Sequence, residues 1–237
     1  MLFASSMADI APDLGVLVDL LRGDPPQIPV NWKQVMRLAR RHGMSPLLHW
    51  QLNQESVGLS VPSDISKTLQ REYYDAIVQS TMRDREVTQV VAALGEAEVP
   101  VLVLKGGALA HTVYPSPTLR PMCDIDIVVR EAQFDQASGI LERLGYTYQP
   151  EPPRRFGPFN TAFTGERSYR RTIGQFSMLM ELHCVYSTIE IVRRTSGLTL
   201  DTLWARAVPL EIEEVTALSL SPEDQLMHVC LHMSMHG

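Results

Sequence analysis

The sequence contains little cysteine and lacks any long apolar run. Its 237 residues include three cysteines, Cys123, Cys184 and Cys230, and no CxxC pair. An odd number of scattered cysteines does not suit a disulfide framework, so we expect a reducing, cytoplasmic compartment. No apolar stretch approaches the roughly 20 residues that cross a bilayer, and we therefore expect no membrane partner.

Positive charge is scarce as well. The chain has 21 Lys and Arg residues against 27 Asp and Glu residues, which gives a formal net charge of −6 at pH 7. An extended nucleic-acid footprint normally needs a basic face, so this composition argues against one. The last residues, LHMSMHG, lie inside a helical pattern without a cap or a breaker. This ending predicts that the sequence is a fragment of a longer protein.

Hydrophobic residues make up 45% of the chain, which is enough for a sizeable core. Helical patterns dominate the first part, and a charged segment that includes Arg83, Asp84 and Glu86 is expected to be a solvated helix face. Strand and helix patterns alternate from Val99 onwards, which is typical of an α/β (α+β) fold. The sequence thus predicts an N-terminal helical region (1–95), a mixed α/β core (96–216) and the start of a C-terminal helical region (217–237).

The stretch CDIDIVV carries two aspartates within a hydrophobic strand pattern, although Asp is depleted in strands. Strand alternation places Asp124 and Asp126 on one face and Ile125 and Ile127 on the other. The two carboxylates would then lie roughly 7 Å apart and could reach one divalent cation or a close pair. A polar strand end is the alternative, but further Ile and Val residues follow the aspartates.

A later strand pattern, LMELHC, repeats this arrangement with Glu181 and His183 on one face. A third carboxylate from a neighbouring strand would complete a site for two Mg²⁺ ions. Hard cations prefer oxygen, so His183 is expected to support the ligands rather than to bind the cation directly. Glu181 alone could also be an exposed strand residue.

A possible phosphate site precedes the aspartates. Lys105, Gly106 and Gly107 follow a buried strand pattern and precede a possible helix. Glycines at such a turn let backbone N–H groups approach a phosphate, and the helix dipole adds to the attraction.

Together, LKGGALAHTVYPSPTLRPMCDIDIVV resembles the signature of the DNA polymerase β-like nucleotidyltransferase superfamily. It is more closely similar to an uncharacterised bacterial nucleotidyltransferase family with a Leu-Lys-Gly step, a Tyr-Pro step, and an Arg before Asp-Ile-Asp. Here these are Leu104 to Gly106, Tyr114-Pro115, Arg120 and Asp124 to Asp126. The longer link between the glycines and Asp124 departs from the broad superfamily.

The resemblance implies a polymerase β-like core with a small mixed sheet, flanked by helical segments. It implies an enzyme that transfers an NMP group from an NTP, with ATP as the expected donor, to an acceptor hydroxyl. Asp124, Asp126 and Glu181 would bind Mg²⁺ or Mn²⁺. The triphosphate would contact Lys105, Gly106, Gly107 and Arg120. The acceptor could be a small molecule, a protein or an RNA end.

Two further groups of residues have weaker patterns. Five arginines surround an expected mobile loop and form either a solvated edge or a flap over the substrate: Arg154, Arg155, Arg167, Arg170 and Arg171. His228, His232 and His236 lie four residues apart, a spacing that can bind Zn²⁺. Because no acidic or Cys partner is close in sequence, helix packing is the favoured interpretation.

Other classes of protein remain open. A nucleotide-binding or partner-binding module on the same fold, with catalysis weak or lost, is the main alternative. Asp124 to Val128 also fits the D-x-D-x-[TV] pattern of phosphatases with an Asp nucleophile, although no Gly-Asp pair follows. A glycosyltransferase of Asp-x-Asp type would need a nucleotide-binding half ahead of the motif.

Overall fold

The structure, a computed structural model, describes residues 7–54, 59–150, 165–185 and 199–236. These residues form eight α-helices and one mixed seven-stranded sheet, which confirms the predicted fold class, although the sheet is larger than expected. The helices are α1 (Met7–Arg22), α2 (Trp32–Arg41), α3 (Ser45–Leu52), α4 (Ser63–Glu96), α5 (Lys105–Thr112), α6 (Phe134–Arg143), α7 (Leu200–Ala205) and α8 (Pro222–His236).

The strands follow the order β3-β4-β5-β2-β1-β7-β6 across the sheet. Strand β2 pairs with β5 in parallel, as β1 does with β7, and the other neighbouring pairs are antiparallel. The strands are β1 (Leu102–Val103), β2 (Asp124–Val128), β3 (Thr147–Gln149), β4 (Glu166–Ile173), β5 (Phe176–His183), β6 (Val208–Ile212) and β7 (Val215–Ser219). Strands β4 and β5 form an antiparallel hairpin around Gly174.

The chain divides into two compact units. A helical unit consists of the described residues of Met1–Thr81 and Tyr114–Pro121, and a sheet unit consists of those of Met82–Val113 and Met122–Gly237. The core of the helical unit contains Leu20, Val35 and Leu48. The three regions predicted from the sequence, 1–95, 96–216 and 217–237, stay a prediction. Among the described helices, none combines the length and apolar character needed to cross a membrane.

The sheet unit buries side chains on both faces of β2. Ile125 and Ile127 belong to the main core, to which α4 and α6 contribute, and both are at most 2% exposed. Val128 belongs to a smaller cluster on the other side, with Trp204 of α7 and Leu220. Because side chains alternate along a strand, Asp124 and Asp126 lie on the same side of the sheet as Val128.

The solvated face predicted for α4 is wrong at its C-terminal part, where Arg83, Asp84 and Glu86 are buried. The Glu86 carboxylate accepts hydrogen bonds from the Tyr146 hydroxyl at 3.1 Å and from Arg171 at 2.8 Å. Burial and then the Glu86 charge raise the pKa of Tyr146. A buried charge needs such partners, and these partners come from distant parts of the sequence.

Helix α5 lies so close to the sheet that Gly107 has no room for a side chain. A Cβ atom at Gly107 would lie 2.8 Å from Val103 Cγ1 and 3.3 Å from Ile125 Cδ1. A Cβ atom at Gly139, inside α6, would meet only the flexible end of the Arg143 side chain, at 3.6 Å. The two glycines therefore differ in the space available at otherwise comparable helical positions.

We expect Gly107→Ala to lower the free energy of unfolding by about 1–3 kcal/mol, because the added methyl group forces Val103 or the backbone to move. The matched change Gly139→Ala should raise it by about 0.4–1 kcal/mol through the unfolded state. Urea unfolding of both variants measures the difference. Equal stability of the two variants would contradict the close contact at Gly107.

Candidate active site

The parallel register of β2 and β5 brings the predicted acids together. Asp126 lies directly beside Glu181, and Val128 lies beside His183. Oxygen atoms of Asp126 and Glu181 and a ring nitrogen of His183 all lie within 4.8 Å of one another. The residues that strand alternation places on one face of β2 and β5 thus form one cluster on one face of the sheet.

Asp126 is the most enclosed member of this cluster, with a side chain that is 5% exposed. Its Oδ1 atom accepts a hydrogen bond from Lys105 Nζ at 2.5 Å and lies 3.1 Å from His183 Nε2. Burial by itself would raise the pKa of Asp126, but the hydrogen bonds and charges of His183 and Lys105 hold this pKa well below its usual range. Asp126 is therefore an ionised carboxylate whose charge is offset by two cationic or dipolar neighbours.

Glu181 has the opposite electrostatic environment. Burial, followed by the negative charges of Asp126 and Glu166, raises the pKa of Glu181 to about 7. Its Oε2 atom lies 3.7 Å from His183 Nε2, and the other ring nitrogen of His183 lies 3.7 Å from Glu166 Oε2. The imidazole thus stands among three carboxylates, and a bound cation would relieve their mutual repulsion.

Lys105 reaches Asp126 because of its position at the start of α5. The Leu104 N–H donates to the Asp126 carbonyl oxygen at 3.0 Å, which ties this turn to β2. Lys105 itself has a φ of +46°, in the left-handed region that non-glycine residues rarely adopt. Such a conformation costs about 1–3 kcal/mol and tends to occur at functional sites.

The glycines lie in the first turn of α5 rather than in a turn ahead of it. Gly107 is buried in its close approach to Val103 and Ile125, so its small size already serves packing. The first N–H that bonds within the helix is that of Ala108, to the Leu104 carbonyl at 3.4 Å. The preceding N–H groups, including those of Gly106 and Gly107, have no partner within the helix. Their expected contact with a phosphate stays a prediction.

Two other predicted residues, Asp124 and Arg120, are not members of this three-residue group. Asp124, the first residue of β2, is partly buried and is not a member of the three-residue group. Burial, then the charge of Asp126, raises the pKa of Asp124. Arg120 belongs to the helical unit, where its guanidinium donates to the Pro121 carbonyl at 2.9 Å. Its role at a triphosphate stays a prediction.

The five arginines of the expected flap are only partly described. Arg154 and Arg155 lie outside the described residues, as does most of the expected loop. The others belong to β4 and have partners on the sheet unit: Arg167 bonds to Asp135, Arg170 to Ser177 and Arg171 to Glu86. These contacts favour a structural role for the three.

The sequence interpretation missed Glu166. It lies at the start of β4, where the antiparallel register pairs it with His183 of β5. The sequence offers only its position, eight residues ahead of Gly174. That position is at the end of a strand, and only the pairing of β4 with β5 shows that this strand end lies at the site. The contact between Lys105 and Asp126 was missed for a similar reason, because it depends on the left-handed turn before α5.

The donor set fits a divalent cation. Asp126 and Glu181 offer carboxylate oxygens, and His183 offers a ring nitrogen at the same place. Imidazole suits transition metals such as Zn²⁺ and Fe²⁺, whereas carboxylate oxygens suit Mg²⁺ and Mn²⁺. The cluster can therefore hold Mg²⁺ or Mn²⁺ through its two carboxylates, with His183 beside them and Asp124 nearby.

Comparison with known families shows the family of the chain. Residues 29–237 match the family described as uncharacterised nucleotidyltransferase. The chain belongs to this nucleotidyltransferase family, which confirms the resemblance seen in the sequence. A comparison with curated proteins found no match.

The raised pKa of Glu181 predicts a pH-dependent loss of stability without metal. A carboxyl whose pKa is raised to about 7 by folding contributes stability at pH 5 that disappears as the pH rises through 7. Glu181→Gln removes the charge, so in EDTA the variant should melt a few degrees higher than the wild type at pH 8 but not at pH 5. Thermal melts at both values measure this.

Metal should reverse the order of the two melting temperatures at pH 8. Addition of Mn²⁺ at pH 8 is expected to stabilise the wild type more than Glu181→Gln, because the cation compensates the ionised carboxylates. If the two proteins instead kept the same difference in melting temperature across pH and metal, Glu181 would not be part of this charged cluster.

Proposed function

We propose that the protein is a metal-dependent nucleotidyltransferase that moves an NMP group from an NTP to an acceptor hydroxyl and releases pyrophosphate. The observation that carries the proposal is the convergence of Asp126, Glu181 and His183 beside the first turn of α5, in a chain of a nucleotidyltransferase family. ATP is the proposed donor and Mg²⁺ or Mn²⁺ the proposed cofactor. The acceptor is a small molecule, a protein or an RNA end.

Asp124, Asp126 and Glu181 would hold the divalent cation, with His183 as a direct or supporting neighbour. When bound, the cation neutralises the triphosphate and favours ionisation of the acceptor hydroxyl. The acceptor oxygen forms a bond to the α-phosphorus, the bond from this phosphorus to the β-phosphate oxygen breaks, and the hydroxyl proton is released. Such chemistry depends on positioning and charge compensation, which the buried carboxylates and the turn at Lys105 can supply.

Lys105 has two roles in this proposal, one without and one with substrate. Without metal, its ammonium group offsets the charge of Asp126. If a cation were held by Asp126, it would take over that compensation, and the ammonium group of Lys105 would be available to the phosphates. The N–H groups of Gly106 and Gly107, which have no partner within the helix, lie in the same turn and would bind the same phosphates.

Lys105→Gln should therefore change two affinities in opposite directions. We expect tighter Mn²⁺ binding without nucleotide, because the competing ammonium group is gone. We expect at least tenfold weaker binding of ATP in saturating Mn²⁺, because a phosphate contact is lost. Titration calorimetry measures both, with Lys105→Arg as the variant that retains the charge. A change in the same direction for both ligands would contradict the double role.

Asp126→Asn tests the function itself. The variant should retain its circular dichroism spectrum and lose at least 90% of metal-dependent ATP binding and pyrophosphate release. Asp201→Asn, which alters a carboxylate whose side chain is 91% exposed on the same unit, serves as the control and should behave as the wild type. Mass spectrometry of metabolites, proteins and RNA incubated with enzyme and each NTP then identifies the nucleotide adduct.

Other results would select other functions. ATP binding without pyrophosphate release from any acceptor would favour the nucleotide-binding module. Release of inorganic phosphate from phosphomonoesters, lost in Asp124→Asn, would favour the phosphatase. Unchanged ATP affinity in Asp126→Asn would contradict the assignment of the site.

A further inference from the structure

His228 of α8 has a buried ring nitrogen without a hydrogen-bond partner. The residue is 9% exposed, and its Nε2 atom, closed off from solvent, has no partner among the described residues. A buried polar atom that is left unpaired costs free energy, and in native proteins such an exception calls for an explanation. A binding partner that arrives with a ligand is one such explanation.

Contacts at its first turn hold α8, the helix that carries His228, in place. The Ser221 hydroxyl accepts a hydrogen bond from the Asp224 N–H at 3.3 Å, which caps the first turn. The Asp224 carboxylate in turn accepts two hydrogen bonds from the Arg206 guanidinium, at 2.9 and 2.6 Å. A two-point contact of this kind fixes orientation as well as distance. Because the helix is held in this way, a rotation of the helix cannot expose His228, which lies one turn further along, to solvent.

The neighbours of His228 place it beside the carboxylate cluster. Helix α8 packs against α5, the helix that begins with Lys105. Burial and then the charge of Lys105 lower the pKa of His228 to about 4, whereas the charge of Asp126 acts in the opposite direction. The imidazole is consequently neutral and lies within electrostatic reach of both members of the ion pair. A neutral imidazole has one N–H donor and one acceptor nitrogen.

A direct role in the metal cluster does not fit the geometry. The described residues whose ligand atoms lie within 4.8 Å of one another are Asp126, Glu181 and His183, and His228 is not among them. A partner for Nε2 must therefore extend beyond the cation itself. A triphosphate would do so, because it carries further non-bridging oxygens besides any that bind the cation.

We propose that His228 is a nucleotide-binding residue that donates its Nε2–H to a non-bridging oxygen of the β- or γ-phosphate. The inference rests on the proposed function and adds a contact from α8 to those expected from Lys105 and α5. The charge of Lys105 acts on His228 without ligand, so a displacement of Lys105 from Asp126 would change the surroundings of the imidazole. Asp126, Lys105 and His228 thus respond to the same metal-bound nucleotide.

The experiment compares His228→Leu with His228→Gln. His228→Leu removes the polar atoms at similar volume, whereas His228→Gln retains an N–H donor. With saturating Mn²⁺, His228→Leu should bind ATP about tenfold more weakly than the wild type, and His228→Gln within about threefold of it. Without ligand, His228→Leu should melt at the same temperature as the wild type or higher, because an unpaired polar atom is gone. Leu226→Gln, at an exposed site on the same helix, is the control.

The other outcomes overturn either this inference alone or the proposed function with it. Wild-type ATP affinity in His228→Leu overturns the inference, and so does weaker binding of Mn²⁺ alone, which would make His228 a metal ligand. If Asp126→Asn weakens ATP binding and His228→Leu does not, this inference fails and the proposed function stands. If the wild-type protein binds no NTP, both fail. Should His228→Leu not fold, the Nε2 resonance of His228 in the wild type must shift when Mg²⁺ and ATP are added together, and an unchanged resonance overturns the inference.

Discussion

The parallel pairing of β2 with β5 is the constraint on which the site depends. This register sets Asp126 beside Glu181 and places His183 one step further along the same face. A slip by one residue would exchange the faces of a strand. It would turn Asp126 into the core that Ile125 and Ile127 occupy and remove the cluster. The hydrophobic residues of β2 thus do more than stabilise the sheet, because their burial determines where the carboxylates point.

Charge compensation around Asp126 connects the remaining parts of the site. Without a metal, Lys105 and His183 contact the same carboxylate oxygen, while Glu181 is held partly protonated near neutral pH. A divalent cation would replace the ammonium group as the counter-charge and favour loss of the Glu181 proton. The left-handed backbone at Lys105 and the unpaired nitrogen of His228 mark the side from which a phosphate group would complete the arrangement.

The local features of this fold and site could be predicted from the sequence, and the long-range ones could not. Alternation in CDIDIVV and LMELHC was sufficient to predict which residues share a face. The burial of Glu86 was not predictable, because its partners Tyr146 and Arg171 lie 60 and 85 residues away. Glu166 was missed because only the register of β4 with β5 brings it to His183.

The central claim is that Asp126 exchanges Lys105 for a metal ion when the metal binds, and that Lys105 then turns to the phosphates of a bound nucleotide. A crystal structure with Mn²⁺ and a non-hydrolysable ATP analogue tests it most directly, through the anomalous signal of the metal. The account predicts an Mn²⁺ peak within coordination distance of Asp126 and Glu181, with Lys105 Nζ displaced towards the phosphates. Anomalous density absent from this cluster, with Lys105 still paired to Asp126 and the nucleotide bound elsewhere, would contradict it.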